Sequence, residues 1–287
     1  MEREEKVLAC VDRSHFAEYV TDYAAWAALR MESPLELLHV IDRHPGVASR
    51  KDHSGAIGID AREQLLSALS DEDESRSRVA REEGRIFLNR LRERAVAAGV
   101  QAPDVRQRYG PLAETLFEQE ETVELFVLGR RGESAETTQR DLGRNVENMV
   151  RRLHKPILTV TEGFSEPQRA MIAFDGSPVT RRGVEMVAHS RLFRGMPVQL
   201  LMAGKEDPEN MRRLESARQE LVAAGYETEA RLIPGDPELV IARAAREQAI
   251  DLLIMGAYGH SPLRSLLFGS KTSDLLRSAR IPTLLLR

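Results

Sequence analysis

Two tandem parallel α/β units are the fold class this sequence predicts, on three observations. Short apolar runs alternate with helical stretches along the whole chain, the pattern of a parallel sheet with crossover helices. The same series of elements occurs twice. The repeat also keeps register: VAAGV at Val96 matches VAAGY at Val222, an offset of 126, and Gly129 and Gly132 match Gly256 and Gly259, an offset of 127. Pro156 in HKPILTV matches Pro282 in RIPTLLL, again at 126, while Asp12 matches Asp175 at 163. The fall from 163 to 126 places about 37 extra residues in the first half, within the polar stretch Asp42–Arg81. The halves are therefore read as residues 1–162 and 168–287, separated by the short linker around Gly163–Pro167.

The elements follow from local pattern. In the first half, KVLACV (Lys6–Val11) is an apolar strand, and Ser14 is placed to cap a helix from His15 to Arg30, whose apolar residues recur at helical spacing. LELLHVI ends near Ile41, and a polar stretch of loop and solvated helix precedes an amphipathic helix from Glu82 to Ala98, stopped by Gly99. A third strand over Val105–Tyr109, a helix over Leu112–Glu120, a buried strand over Leu125–Leu128, a helix over Asn145–Leu153 and a strand over Ile157–Val160 complete the unit. In the second half a strand over Ala170–Phe174 leads through Asp175-Gly176-Ser177 to Pro178, which suits a first helical position, and that helix is expected to reach about Phe193. A strand at Val198–Ala203, a helix over Asn210–Ala224 closed by Gly225, a strand at Glu229–Ile233, a helix over Glu238–Gln248, an apolar strand over Ile250–Met255, a helix to Arg280 and a strand over Pro282–Leu286 follow.

Composition narrows the function classes. The 287 residues are 42% hydrophobic and 30% charged, enough for two cores and a soluble surface. A net charge of −4 gives no basic excess to recruit nucleic acid. No run approaches the roughly 18 apolar residues of a membrane helix, and the charged start MEREEK lacks a signal-peptide core, so a cytoplasmic protein without membrane contact is expected. The one cysteine, Cys10, is read as a small buried side chain. His39, His44 and His53 have irregular spacing, and no metal site is assigned to them. No G-x-S-x-G elbow marks a nucleophile, and no catalytic residue is assigned.

The stretch Ile254–Ser270, IMGAYGHSPLRSLLFGS, carries the chemistry. An apolar strand runs into Gly256, Gly259 and, nine residues later, Gly269-Ser270, before a helical segment from Lys271. Glycines let backbone N–H groups approach a ligand closely, and a helix start favours phosphate. This glycine pattern follows the fourth strand of the unit. A dinucleotide fingerprint would follow the first, where the chain instead has DRS and DGS, and neither half contains a P-loop G-x4-G-K-[ST].

Together, the DGS after the first strand, the G-x2-G-x9-G-S run after the fourth and the closing IPTLLL strand resemble a universal stress protein domain, and the resemblance covers both halves apart from the insertion. The ATP-binding branch of that family implies two open five-stranded parallel sheets of order 3-2-1-4-5 with helices on both faces, a Rossmann-like adenine-nucleotide-binding fold. It implies ATP, with Mg2+, as the ligand. Asp175 would stand at the adenosine end, the backbone near Ala203 would meet adenine, and Gly256, Gly259, Gly269 and Ser270 would hold ribose and phosphates. His260, Arg264 and Lys271 either balance phosphate charge or stand solvated. In the first half, Asp12, Val40, Gly129, Gly132 and Gly143 occupy the matching positions. There, however, ten residues separate Gly132 from Gly143, Arg144 and Asn145 replace the hydroxyl, and Glu133, Glu136 and Asp141 add repelling charge, so a weak or altered site is expected. The resemblance further implies a nucleotide-responsive stress regulator, an intrachain pseudo-dimer paired through the two fifth strands, and room for a dimer of tandems. A slow ATP hydrolase or phosphotransferase and a nucleotide-free scaffold stand as the alternatives.

Overall fold

The computed structural model describes residues 5–41, 59–130, 144–256 and 281–287. The first half contains β1 (Lys6–Cys10), α1 (Ala17–Met31), β2 (Leu35–Ile41), α2 (Ile59–Ala97), β3 (Asp104–Tyr109), α3 (Leu112–Phe117), β4 (Val123–Gly129), α4 (Arg144–Arg152) and β5 (Ile157–Val160). The second contains β6 (Ala170–Ala173), α5 (Pro178–His189), β7 (Val198–Ala203), α6 (Pro208–Ala223), β8 (Thr228–Ile233), α7 (Pro237–Glu247), β9 (Leu252–Gly256) and β10 (Thr283–Leu286). Each half is a parallel sheet of order 3-2-1-4-5. The two join edge to edge into one ten-stranded sheet, β3-β2-β1-β4-β5-β10-β9-β6-β7-β8.

The join is the antiparallel pair β5–β10, with Thr159 opposite Thr283 and Leu158 opposite Leu284. Thr159 Oγ1 donates to the Thr283 carbonyl at 3.0 Å, so the hydroxyl buried at the seam is satisfied. An unpaired edge strand this apolar would invite association, and pairing the two removes both edges. The outer edges β3 and β8 instead alternate exposed polar residues with half-buried ones: Asp104, Arg106 and Arg108 on β3, Glu229 and Arg231 on β8.

Central strands are buried on both faces, as parallel sheets require. On one face Val7, Leu37, Val127, Ile254 and Leu284 pack under α1, α2, α5 and α6 as one core that runs through both halves. On the other, Leu8, Leu38, Phe126, Leu253 and Leu285 pack with Leu116 of α3, Met149 of α4 and Ile241 of α7.

Four local expectations change. The stretch expected as loop and solvated helix before Glu82 is, from Ile59 onward, continuous with the following helix, giving a 39-residue α2. Residues 59–83 contain neither proline nor glycine, so nothing in the backbone chemistry stops the helix there. Its one glycine, Gly84, lets β3 approach: a Cβ there would lie 2.5 Å from Gln107 Nε2. Ser14 does not cap α1. The helix starts at Ala17 after Phe16, with no side-chain cap, because Ser14 donates to Asp12 instead. Helix α5 ends at His189, and a 3-10 turn over Arg191–Phe193 follows, capped by Ser190 Oγ accepting the Leu192 N–H at 3.3 Å. Cys10 is half-buried at the end of β1.

Candidate functional site: the carboxyl ends of the strands

Because β5 and β10 are antiparallel, the two halves present their strand carboxyl ends at opposite edges of the sheet. In each half the strand order reverses beside the first strand, between β1 and β4 and between β6 and β9. The crevice outside such a reversal is where open α/β sheets bind ligands.

In the second half three of the expected residues converge there. Asp175 lies two residues beyond β6, Ala203 ends β7 and Gly256 ends β9. Asp175 Oδ1 accepts the Ser177 N–H at 2.9 Å and the Thr180 hydroxyl at 2.8 Å. Ser177 Oγ in turn caps α5, accepting the Thr180 N–H at 3.3 Å with Pro178 in the first turn. Gly176 supplies the φ of +73° that this tight turn requires. The carboxylate is thus fixed by the first turn of the helix beside it. Gly256 is buried, and a Cβ there would lie 3.2 Å from Val179 Cγ1, so α5 starts in direct contact with the end of β9. Asp207 and Asp236 cap α6 and α7 at the same edge, each accepting two backbone N–H groups. Gly259, His260, Arg264, Gly269, Ser270 and Lys271 lie outside the described residues, as does the expected helix reaching Arg280.

The first half brings Asp12, Val40 and Gly129 to the matching places, beyond β1, near the end of β2 and at the end of β4. Gly132 and Gly143 lie outside the described residues. Asp12 Oδ1 accepts the Ser14 N–H at 3.1 Å and the Ser14 hydroxyl. The position of Thr180 is held here by Ala17, which has no hydroxyl to offer Asp12. Arg130, directly after Gly129, is only 9% exposed, and its N–H donates to the Val160 carbonyl at 2.8 Å. A large cation therefore stands at the end of β4, where the second half has Ala257.

Helix α2 flanks this crevice. Phe87 meets His39 edge-on with ring centroids 5.4 Å apart, and Glu83 pairs with Arg13 at 2.9 Å. His39 is buried with Nδ1 2.9 Å from the Val11 carbonyl, so it bridges β1 and β2 as a core group. His44 and His53 lie outside the described residues. Among the described residues no three His, Cys, Asp or Glu side chains gather as metal ligands. Burial pushes the Cys10 thiol well above its ordinary range, with Glu36 and Asp12 adding to the shift, which keeps it protonated and poorly nucleophilic at neutral pH.

Three contributors were not legible beforehand. Thr180 carries a signal in retrospect: a hydroxyl five residues after the aspartate, in the first helical turn. The contacts of Glu83 and Phe87 carry none, because their positions depend on the length of α2.

A family model described as the universal stress protein family matches residues 4–161 and 167–287. Universal stress protein Slr1230 of Synechocystis sp. is 32% identical over 284 residues, covering 98% of this chain and 99% of its own. A universal stress protein structure from Archaeoglobus fulgidus aligns with 98% of this chain and 96% of its own at a TM-score of 0.66 and 18% identity. A putative universal stress protein from Pseudomonas aeruginosa aligns with 99% of this chain and 93% of its own at a TM-score of 0.58 and 16% identity. These structures share the fold. Among the described residues no helix is long and apolar enough to cross a membrane.

Proposed function

The chain belongs to the universal stress protein family, and on that premise we propose that it is a nucleotide-responsive regulator that binds ATP in its second half. The observation that carries this reading is the convergence of Asp175, Ala203 and Gly256 at the sheet reversal, with Gly256 opening the G-x2-G-x9-G-S run. Asp175, held by Ser177 and Thr180, would receive the ribose end of the nucleotide. The backbone of Ala203, at the end of β7, would meet the base. Gly256 opens the run at the end of β9, where a Cβ would meet Val179 Cγ1 at 3.2 Å, so glycine is favoured there by packing as well. N–H groups of Gly259, Gly269 and Ser270 would take the phosphates. His260 and Lys271 lie beside that loop in sequence and would balance phosphate charge. Magnesium would enter with the phosphates, as it does where few carboxylates are offered.

We read the first half as a partner domain with an altered crevice and the two halves as an intrachain pseudo-dimer. A regulatory role requires that ATP favour one conformation over another, which is a difference in affinity between states.

The test is a calorimetric titration of ATP and magnesium into the full chain, beside the Gly259→Val, Gly269→Val double variant. One site per chain, lost in the variant, supports the reading. Two sites would assign a nucleotide to the first half as well. No binding by a folded, nucleotide-free sample sinks the ATP proposal and favours a scaffold. Turnover well above buffer background, abolished by Asp175→Ala, would move the protein to the slow hydrolases.

A further inference from the structure

The seam between the halves contains the same place twice, and the linker can fill only one copy. On one side, Tyr23 of α1 is buried beside Trp26, and the Phe164 ring stands edge-on to Tyr23 at 4.9 Å. The Ser165 backbone hydrogen-bonds the Tyr23 phenol, and Asp251, just before β9, accepts the Gln168 N–H at 3.0 Å. The linker thus lays an aromatic ring and a donor against α1 and Asp251. The offset of 163 puts Met186 of α5 where Tyr23 stands and His189 where Trp26 stands, and the offset of 127 puts Glu124 where Asp251 stands. Among the described residues no linker segment lines this place. It holds a cavity of about 240 Å³ walled by Met31, Leu125, Met186, Leu192 and Leu284, with Glu124 also lining it.

We propose that this cavity is a binding site for a small molecule made of one aromatic ring and a protonated amine. The ring takes the place that Phe164 takes on the other side, and the amine meets Glu124. The size suits it: an apolar cavity of roughly 150 Å³ is enough for benzene, so the larger space here admits a ring with a short tail. Met31 and Met186 offer polarizable sulfurs, which contact ring edges favourably. Among the described residues the hydrogen bond at Glu124 is the 2.9 Å one from Ser33 Oγ to Oε2. A carboxylate has about four acceptor positions, so capacity remains for an ammonium group. The site is separate from both strand-end crevices, and its existence does not depend on nucleotide binding.

The experiment uses the full chain with 13C-methyl-labelled methionine and 2-phenylethylamine as the probe. The Met31 and Met186 methyl signals are expected to move together and saturably. Toluene, which has the ring without the amine, is expected to bind about tenfold more weakly, and Glu124→Gln to lower the affinity for 2-phenylethylamine by a similar factor. Met186→Tyr installs the residue of the filled side and is expected to abolish the shifts while the chain still melts cooperatively. Met31→Phe narrows the opposite wall and serves the same purpose should Met186→Tyr fail to fold. Unmoved Met31 and Met186 signals at millimolar probe overturn the proposal. So do equal shifts at Met149 and Met171, which lie on the other face of the sheet, or shifts that persist in both filling variants. Equal affinity for toluene and 2-phenylethylamine overturns the assigned amine.

Discussion

The first and second halves share a strand order and an aspartate turn, yet their crevices are lined by different residues. In the second half, Asp175 is tied to Thr180, Gly256 lets the end of β9 pack against Val179, and α6 starts at Pro208. In the first, Asp12 Oδ1 accepts from Ser14, the buried Arg130 follows β4, and the long α2 stands against the crevice through Phe87 and Glu83. Duplication kept what folding needs, which is the apolar alternation of the strands and the sheet reversal. It did not keep the residues after the fourth strand, where Arg130 stands in the first half and Ala257 in the second.

The sharpest way to break this comparison is to ask whether the halves are separate at all. The core under α1, α2, α5 and α6 runs through the β5–β10 seam without interruption. Leu284→Ala in β10 removes a buried side chain and should cost about 2–5 kcal/mol. The one tryptophan, Trp26, is buried in the first half, so its fluorescence reports on the half that was not mutated. A urea midpoint that falls for Trp26 fluorescence shows that the seam couples the halves. An unchanged midpoint would show that they unfold independently, and the seam would be an incidental contact.

The join between the halves was partly legible in the residues. The family resemblance implied the pairing of ILTV with TLLLR, and their apolar character, unsuited to exposed edges, agrees with it. The reach of α2 was not legible, because a run such as DEDESRSR reads as solvated surface whether it is coil or helix, and only the absence of glycine and proline from residues 59–83 favours the helix. The misreading of Ser14 has a related cause. A serine before an apolar run is a good cap by type, but Asp12 two residues earlier competes for its N–H and hydroxyl, and a single residue type cannot say which partner wins. The resemblance named Asp12, Val40, Asp175, Ala203 and Gly256, and their places at or near strand ends could be read because those strand boundaries are sharp in sequence. The fixing of Asp175 by Thr180 was missed because it is a contact of side chains, set by how the helix leaves the strand.

Next in size are the aspartates. If ATP belongs to the second half, Asp175→Ala should weaken ATP binding tenfold or more, about 1.4 kcal/mol, while Asp12→Ala should change it less than twofold. Calorimetry on both variants decides it, and the reverse order would transfer the site to the first half. Thr180→Val isolates the smaller contribution of holding that carboxylate in place. It keeps shape and removes one donor to Asp175 Oδ1, so a loss of about 1 kcal/mol in unfolding free energy is expected. No change in denaturation midpoint would mean that the turn is held by the Ser177 N–H and the helix cap alone.

The smallest effect compares the helices before the third strand of each half. In α2 Glu82 pairs with Arg85 at 2.7 Å, and in α6 Glu215 pairs with Arg218 at 2.7 Å. Both carboxyls are held below their ordinary range, first by the hydrogen bonds of their arginines. Glu215 goes furthest, to about 2, because the Gln219 amide also donates to it at 3.0 Å. A depressed carboxyl pKa contributes stability above the unfolded value, and the contribution is lost as pH falls through the folded one, so this pair matters between about 4.5 and about 2. Both pairs are exposed on helix surfaces, where water and salt screen them, so the effect belongs in the titration curve and hardly in the melting temperature. Carboxyl carbon shifts should show Glu215 titrating below Glu82, and Gln219→Ala should raise Glu215 toward it. If Glu215 titrates at 4.5 or above, the arginine contact is not kept in solution, and this difference between the halves disappears.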